Sequence, residues 1–195
     1  MDKQTCMERA AKAAAAVVAN VKPDQYDLPT PCADWDVRAL VNHLTHWSAV
    51  VSERTARKLP IPEDGSEKEG STDYAAMPGF QDFFADRLDR AVRAWGEPGA
   101  WDGESVMASS PLAASFIGQM VYGELVIHGW DLAKATGQDL DVDDELARVA
   151  LADAEGMADM AREWEAFGAE VKVPDTAPVL DRLAGLTGRD PAWRP

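Results

Sequence analysis

An all-α protein is predicted from three features of these 195 residues. The apolar share is 46% with only three Tyr and five Phe, and Ala is abundant while Thr and Ile are sparse outside short runs. That composition favours helices over sheets. Apolar residues recur at three- and four-residue intervals in several separate segments, and Pro and Gly cluster between those segments. A chain of this length is expected to form one domain over 1–195, with its core at about 3–167 and a C-terminal extension at 168–195.

The first helix is expected from about Lys3 to Asn20, with Met7, Ala11, Ala14, Val17 and Val18 on one side. Pro23, Pro29 and Pro31 then force an extended connection. Asp34 or Asp36 offers an N-cap for a second long helix, DVRALVNHLTHWSAVVSERTARKL, whose stripe is Val37, Leu40, Leu44, Trp47, Val50 and Val51, with His43 inside it. Ile61 to Pro78 lacks periodicity and reads as a mobile loop. Phe80, Phe83, Phe84, Leu88, Val92 and Trp95 mark a third helix, and Glu97 to Ser110 a second irregular stretch. In a bundle both loops could sit over one end.

The fourth helix lies within Pro111 to Gly137, where Gly137 suits a C-cap. A fifth is expected after Asp141, Asp143 or Asp144, running through Leu151 and Met157 to Trp164. The tail has room for a short helix around Ala177 to Leu186. Met7, Met157 and Met160 read as core.

The fourth helix carries Glu124 and His128 four residues apart, on the side of much of its apolar stripe. Gly118, Gly123 and Gly129 interrupt it, each costing about 1 kcal/mol relative to Ala. Either a neighbouring helix packs closely there or space is kept open beside Glu124 and His128. If the second and fourth helices are neighbours, His43, Glu124 and His128 can converge on one divalent ion, as helix bundles build metal sites. Two imidazoles and a carboxylate leave a coordination position open, the arrangement of catalytic zinc. His46 competes with His43 or joins it as a fourth ligand. The alternative is a set of satisfied core histidines.

A net charge of −15, from 34 acids and 19 bases, argues against nucleic acid or an anionic membrane as partner. No segment is apolar and long enough for export or membrane spanning. Cys6 and Cys32 alone give no disulfide framework, so the cytoplasm is the expected location and buried thiols the expected role.

TPCADWDVRALVNHLTHW (Thr30 to Trp47), GELVIHGWDLAKATGQ (Gly123 to Gln138) and GRDPAW (Gly188 to Trp193) resemble the DinB-like superfamily. The branch they resemble holds the mycothiol-dependent maleylpyruvate isomerase N-terminal domain and a related family of uncharacterised metal-binding proteins. The resemblance covers nearly the whole chain. It implies an antiparallel DinB-like four-helix bundle, with an additional helix and a short tail, holding zinc or nickel at one end. The ligand positions fall on His43, Glu124 and His128, which favours His43 over His46.

The resemblance further implies mycothiol as co-substrate, binding at the open metal position, a small electrophilic substrate, and transferase or isomerase chemistry. A homodimer is common among similar proteins. Asp131 becomes a candidate partner of the site through a hydrogen bond or proton transfer, or else a charge paired with Lys134. Arg189 becomes a candidate anchor for a substrate carboxylate, or else a partner of Asp190 or a helix C-terminus. Trp47, Trp101, Tyr122 and Trp130 could wall a pocket or fill the core. One departure counts against maleylpyruvate itself: too few residues follow the fifth helix for the isomerase's separate C-terminal domain. The competing function is a non-catalytic metal- or ligand-binding module.

Overall fold

The architecture follows from aspartates that cap three of the helices and from glycine and proline between the rods. It is described here for all 195 residues from a computed structural model. Helix α1 (Lys3–Ala19) starts at Asp2, whose carboxylate accepts from the Thr5 amide at 2.9 Å, and buries Cys6, Met7, Ala10, Ala14 and Val17. A second rod begins at Asp36, which caps the Ala39 amide at 2.7 Å. It runs as α2 (Val37–Leu44), a π-helical segment (Thr45–Val51) and α3 (Ser52–Ala56). At the wide turn the Thr45 hydroxyl donates to the Val41 carbonyl at 2.6 Å, competing with the normal ladder. Periodicity predicts a plain helix there, and the π segment is invisible to it.

Helix α4 (Phe80–Trp95) follows, then α5 (Ala114–Thr136), which ends where Gly137 takes φ +68°. Asp143 caps α6 (Asp144–Glu163), and α7 (Val179–Leu186) packs on α6. Four rods form the bundle: α1 lies between α4 and α5, and the α2–α3 rod packs on the other side of the same two.

Side-chain contacts give the directions. Gln4 reaches Val92 and Gln138 reaches Val17, so α1 runs with α5 and against α4. Glu53 pairs with Arg90, and Arg57 with Glu97, so the second rod runs with α4. Two consecutive rods pointing the same way need a long return connection, which is the segment 57–79. That return is tied to the second rod at Arg54–Glu67 (2.6 Å) and Asn42–Asp73 (2.9 Å).

The two irregular stretches meet near the C-terminal end of the second rod, where Arg54 bonds both Glu67 and the Val106 and Met107 carbonyls and Lys58 donates to the Gly99 and Asp102 carbonyls. The first then climbs toward the start of α2. The expected irregularity of Glu97 to Ser110 is interrupted by a small antiparallel hairpin, β1 (Glu104–Val106) and β2 (Pro111–Ala113), in which Glu104 faces Ala113. Strands of three residues carry too few alternations to be read from a sequence.

The glycines of α5 divide into two kinds. Gly118 lies against the Trp101 indole with no room for a Cβ, whereas a Cβ on Gly123 would meet nothing within 4 Å. Open space therefore holds at Gly123, while the expected neighbouring helix comes close only at Gly129, where a Cβ would stand 3.8 Å from Ala14 of α1; at Gly118 the close group belongs to a connecting segment instead. No helix is long and apolar enough to cross a membrane.

Candidate metal centre

His43 sits on the last turn of α2, and Glu124 and His128 one turn apart on α5. Because α2 and α5 pack against each other, the three side chains meet: His43 Nε2 lies 3.0 Å, and His128 Nε2 3.1 Å, from Glu124 Oε2. One ligand atom from each residue falls within 4.8 Å of the others. A tetrahedral ion with bonds of about 2.0–2.1 Å sets its ligands about 3.3 Å apart. The two distances to Glu124 come close to that spacing.

Each imidazole is also held from behind. His128 Nδ1 lies 2.9 Å from Asp131 Oδ2, and His43 Nδ1 lies 3.2 Å from Glu69 Oε1. The Trp47 indole N–H donates to the same Glu69 oxygen at 2.9 Å. A carboxylate on Nδ1 fixes the ring so that Nε2 faces the shared point. Asp131 is wholly buried, and Arg189 covers it, with Nη2 donating to Oδ2 at 3.0 Å and Nη1 to the Thr187 carbonyl at 2.8 Å. Lys134 turns away, toward the Pro191 carbonyl.

Burial alone would lower the two imidazole pKa values, but the facing carboxylates win. Hydrogen bonds to Glu124 and Glu69 raise His43 to about 9. The Glu124 charge and the Asp131 hydrogen bond raise His128. Burial would raise Glu124, yet the two imidazoles hold it well below the usual carboxylate range.

His46 stays outside the cluster. It is buried, its ring stands edge-on to Trp47 at 4.6 Å, and burial lowers its pKa. The wide turn beginning at Thr45 carries it away from the direction of His43. Arg189 does not face open space as a substrate anchor would: its guanidinium is buried against Asp131, a partner that the sequence reading did not offer it. Glu69 was missed altogether, since an acid in an aperiodic acidic loop carries no signal of its own. Cys32 is half-buried, and burial pushes its thiol up to about 11, which leaves it a poor nucleophile.

The expected aromatic wall is scattered. Trp101 packs on Trp95, Trp130 takes the Lys134 ammonium over its face, Tyr122 donates to Asp153, and Trp47 holds Glu69. The ring that does stand at the site is Trp35, 4.4 Å from His43 and 5.4 Å from His128.

The molecule is a four-rod helical bundle in which two histidines and a glutamate from two rods converge, a donor set that could hold a metal ion. The chain belongs to the mycothiol maleylpyruvate isomerase N-terminal domain family, whose pattern it matches over residues 7–133. It is 31% identical over 195 residues to an uncharacterised protein of Mycobacterium tuberculosis, found in strains CDC 1551 / Oshkosh and ATCC 25618 / H37Rv, covering 97% of this chain and 98% of that one. Among solved structures, the mycothiol-dependent maleylpyruvate isomerase superposes with a TM-score of 0.59 at 16% identity, over 84% of this chain and 70% of that chain. A histidine-to-alanine mutant of that isomerase gives 0.58 at 17% identity, over 86% and 72%. At such identity the likeness establishes the shared helical fold.

Proposed function

We propose that this protein is a divalent-metal-dependent enzyme that uses a low-molecular-weight thiol, mycothiol in its family, to transfer to or isomerise a small electrophile. The observation that carries this reading is the convergence of His43, Glu124 and His128 on one point, each imidazole backed by its own carboxylate. Zinc suits the donor set best, and nickel suits imidazole as well.

A bound ion would supply a positive charge that lowers the pKa of a thiol at its open position. The protein's own groups do the rest. Glu69 and Asp131 orient the imidazoles, and Arg189 holds Asp131 in place. Trp35 shields one side of both rings from water. The cavity beside His43, lined by Asn42, Thr72, Asp73 and Tyr74, is polar and suits the hydrophilic body of such a thiol. No protein nucleophile is required.

The test is thiol conjugation across a panel of electrophiles, with mycothiol, in metal-stripped and zinc-reloaded protein. Turnover should return only with the metal, and His128→Ala should abolish it while the helical circular dichroism persists. Equal turnover in stripped protein would overturn the proposal. Tight binding of a small molecule without turnover would point instead to a binding module.

A further inference from the structure

We propose that the cavity beside His43, between α2 and residues 69–74, recognises a polyhydroxylated body, neutral or cationic and free of carboxylates, and that His46, Glu69 and Asp73 set that choice. The inference rests on the function proposed above only in taking this body to be that of the thiol. The cavity holds about 290 Å³, near the lower end of small-molecule sites at about 300–1,000 Å³. Trp35 and His43 both line it, and the Trp35 ring stands 4.4 Å from His43 and 5.4 Å from His128. A ligand held there lies one aromatic ring from the triad.

The hydrogen bonds already made leave the cavity mostly acceptors. Asn42 Nδ2 donates to Asp73 Oδ1 at 2.9 Å, and both ring nitrogens of His43 face carboxylates. Glu69 receives His43 and the Trp47 indole on Oε1, which leaves Oε2 free. His46 adds a further acceptor. It lines the cavity, is 3% exposed, and its Nε2 is buried with no hydrogen-bond partner. Burial lowers its pKa and keeps the ring neutral near pH 7, while the Glu67 backbone carbonyl accepts from the ring. That proton is assigned to Nδ1, so Nε2 presents a lone pair. A buried lone pair left alone is costly, and an entering hydroxyl or ammonium relieves it. Two carboxylates and no Lys or Arg line the cavity; Arg38, outside the lining, is held on Asp73 at 3.2 Å. A carboxylate-bearing body would meet like charge with no cation to pair with. An ammonium gains as well from the Trp35 and Tyr74 rings in the wall.

The test measures binding, not turnover, with methyl glucosaminide, methyl glucoside and methyl glucuronide, one sugar ring carrying positive, no and negative charge. Titrations followed by protein NMR are run on metal-stripped and zinc-loaded protein, because the glucuronide could ligate the ion. In the stripped form the glucosaminide should bind at least fivefold more tightly than the glucuronide, with the glucoside between them. His46→Phe keeps a buried ring without its nitrogens, and should weaken the glucosaminide and the glucoside at least threefold with the helical circular dichroism retained. Thr72 is exposed on the lip of the cavity, so Thr72→Lys should fold normally and shift the preference toward the glucuronide at least fivefold. No binding of any probe, a glucuronide bound as tightly as the glucosaminide in the stripped form, an unchanged preference in Thr72→Lys, or unchanged affinities in folded His46→Phe would overturn the inference. If the sugars bind as expected but thiol turnover is absent, the proposed catalysis fails and the recognition site stands.

Discussion

Both nitrogens of each site imidazole face a carboxylate oxygen, and carboxylates only accept hydrogen bonds. Without a metal, the doubly protonated form of each imidazole satisfies both contacts, so His43 is raised to about 9 and His128 is raised with it. A dication replacing the two Nε2 protons leaves the charge of the cluster unchanged. The sign of the pH dependence follows. Protonated His43 stabilises the metal-free fold fully below its unfolded pKa of about 6.5, and that contribution is lost as pH rises through about 9. The metal competes with those protons, so its affinity should climb across the same window. Competition titrations with a chelating dye from pH 6 to 9 should show this, while thermal melts of stripped protein fall; a flat affinity profile would contradict it. Of these residues, the sequence exposed the three members of the triad because helical spacing and family likeness both mark them. Glu69 was hidden because it lies in a loop with no period, and the Asp131–Arg189 pair because it joins positions far apart in the chain.

Helix α5 holds two glycines with opposite meanings. A methyl group on Gly118 would collide with the rigid Trp101 indole, so Gly118→Ala should destabilise by about 1–3 kcal/mol through overpacking. Gly123→Ala meets open space within a helix and should stabilise by up to about 1 kcal/mol. Chemical denaturation of the two variants measures both effects, and shifts of the same sign would contradict the packing described. The helices themselves were legible from apolar spacing and capping acids, with Asp36 and Asp143 starting α2 and α6. The π segment was not, and it turns the expected stripe: Trp47 and Val50 are only half-buried, while Thr45, His46, Ser48 and Ala49 face the core.

At the scale of the whole molecule, the C-terminal tail returns to the site. Arg189 lies beyond α7 and neutralises Asp131 on α5, joining the extension to the bundle through a buried ion pair. Arg189→Ala would leave Asp131 buried without its charge partner, and should cost about 3–5 kcal/mol. The loss is read as a lower melting temperature, accompanied by weaker metal binding because His128 loses its fixed orientation. A change of less than about 1 kcal/mol would mean that the tail is dispensable. The bundle was expected from the sequence; the shared direction of the second and third rods was not, because pairs far apart in the chain, Glu53 with Arg90 and Arg57 with Glu97, are what reveal it. The return segment 57–79 brings Glu69 to His43, so the topology itself completes the site. The most direct test is the metal stoichiometry of freshly purified protein at neutral pH, with His43→Ala measured beside it. One divalent ion per chain, lost in the variant with the helical fold retained, is the expected result. Protein that takes up no ion at micromolar free zinc, or a variant that binds it equally well, would contradict the convergence of His43, Glu124 and His128 on a metal.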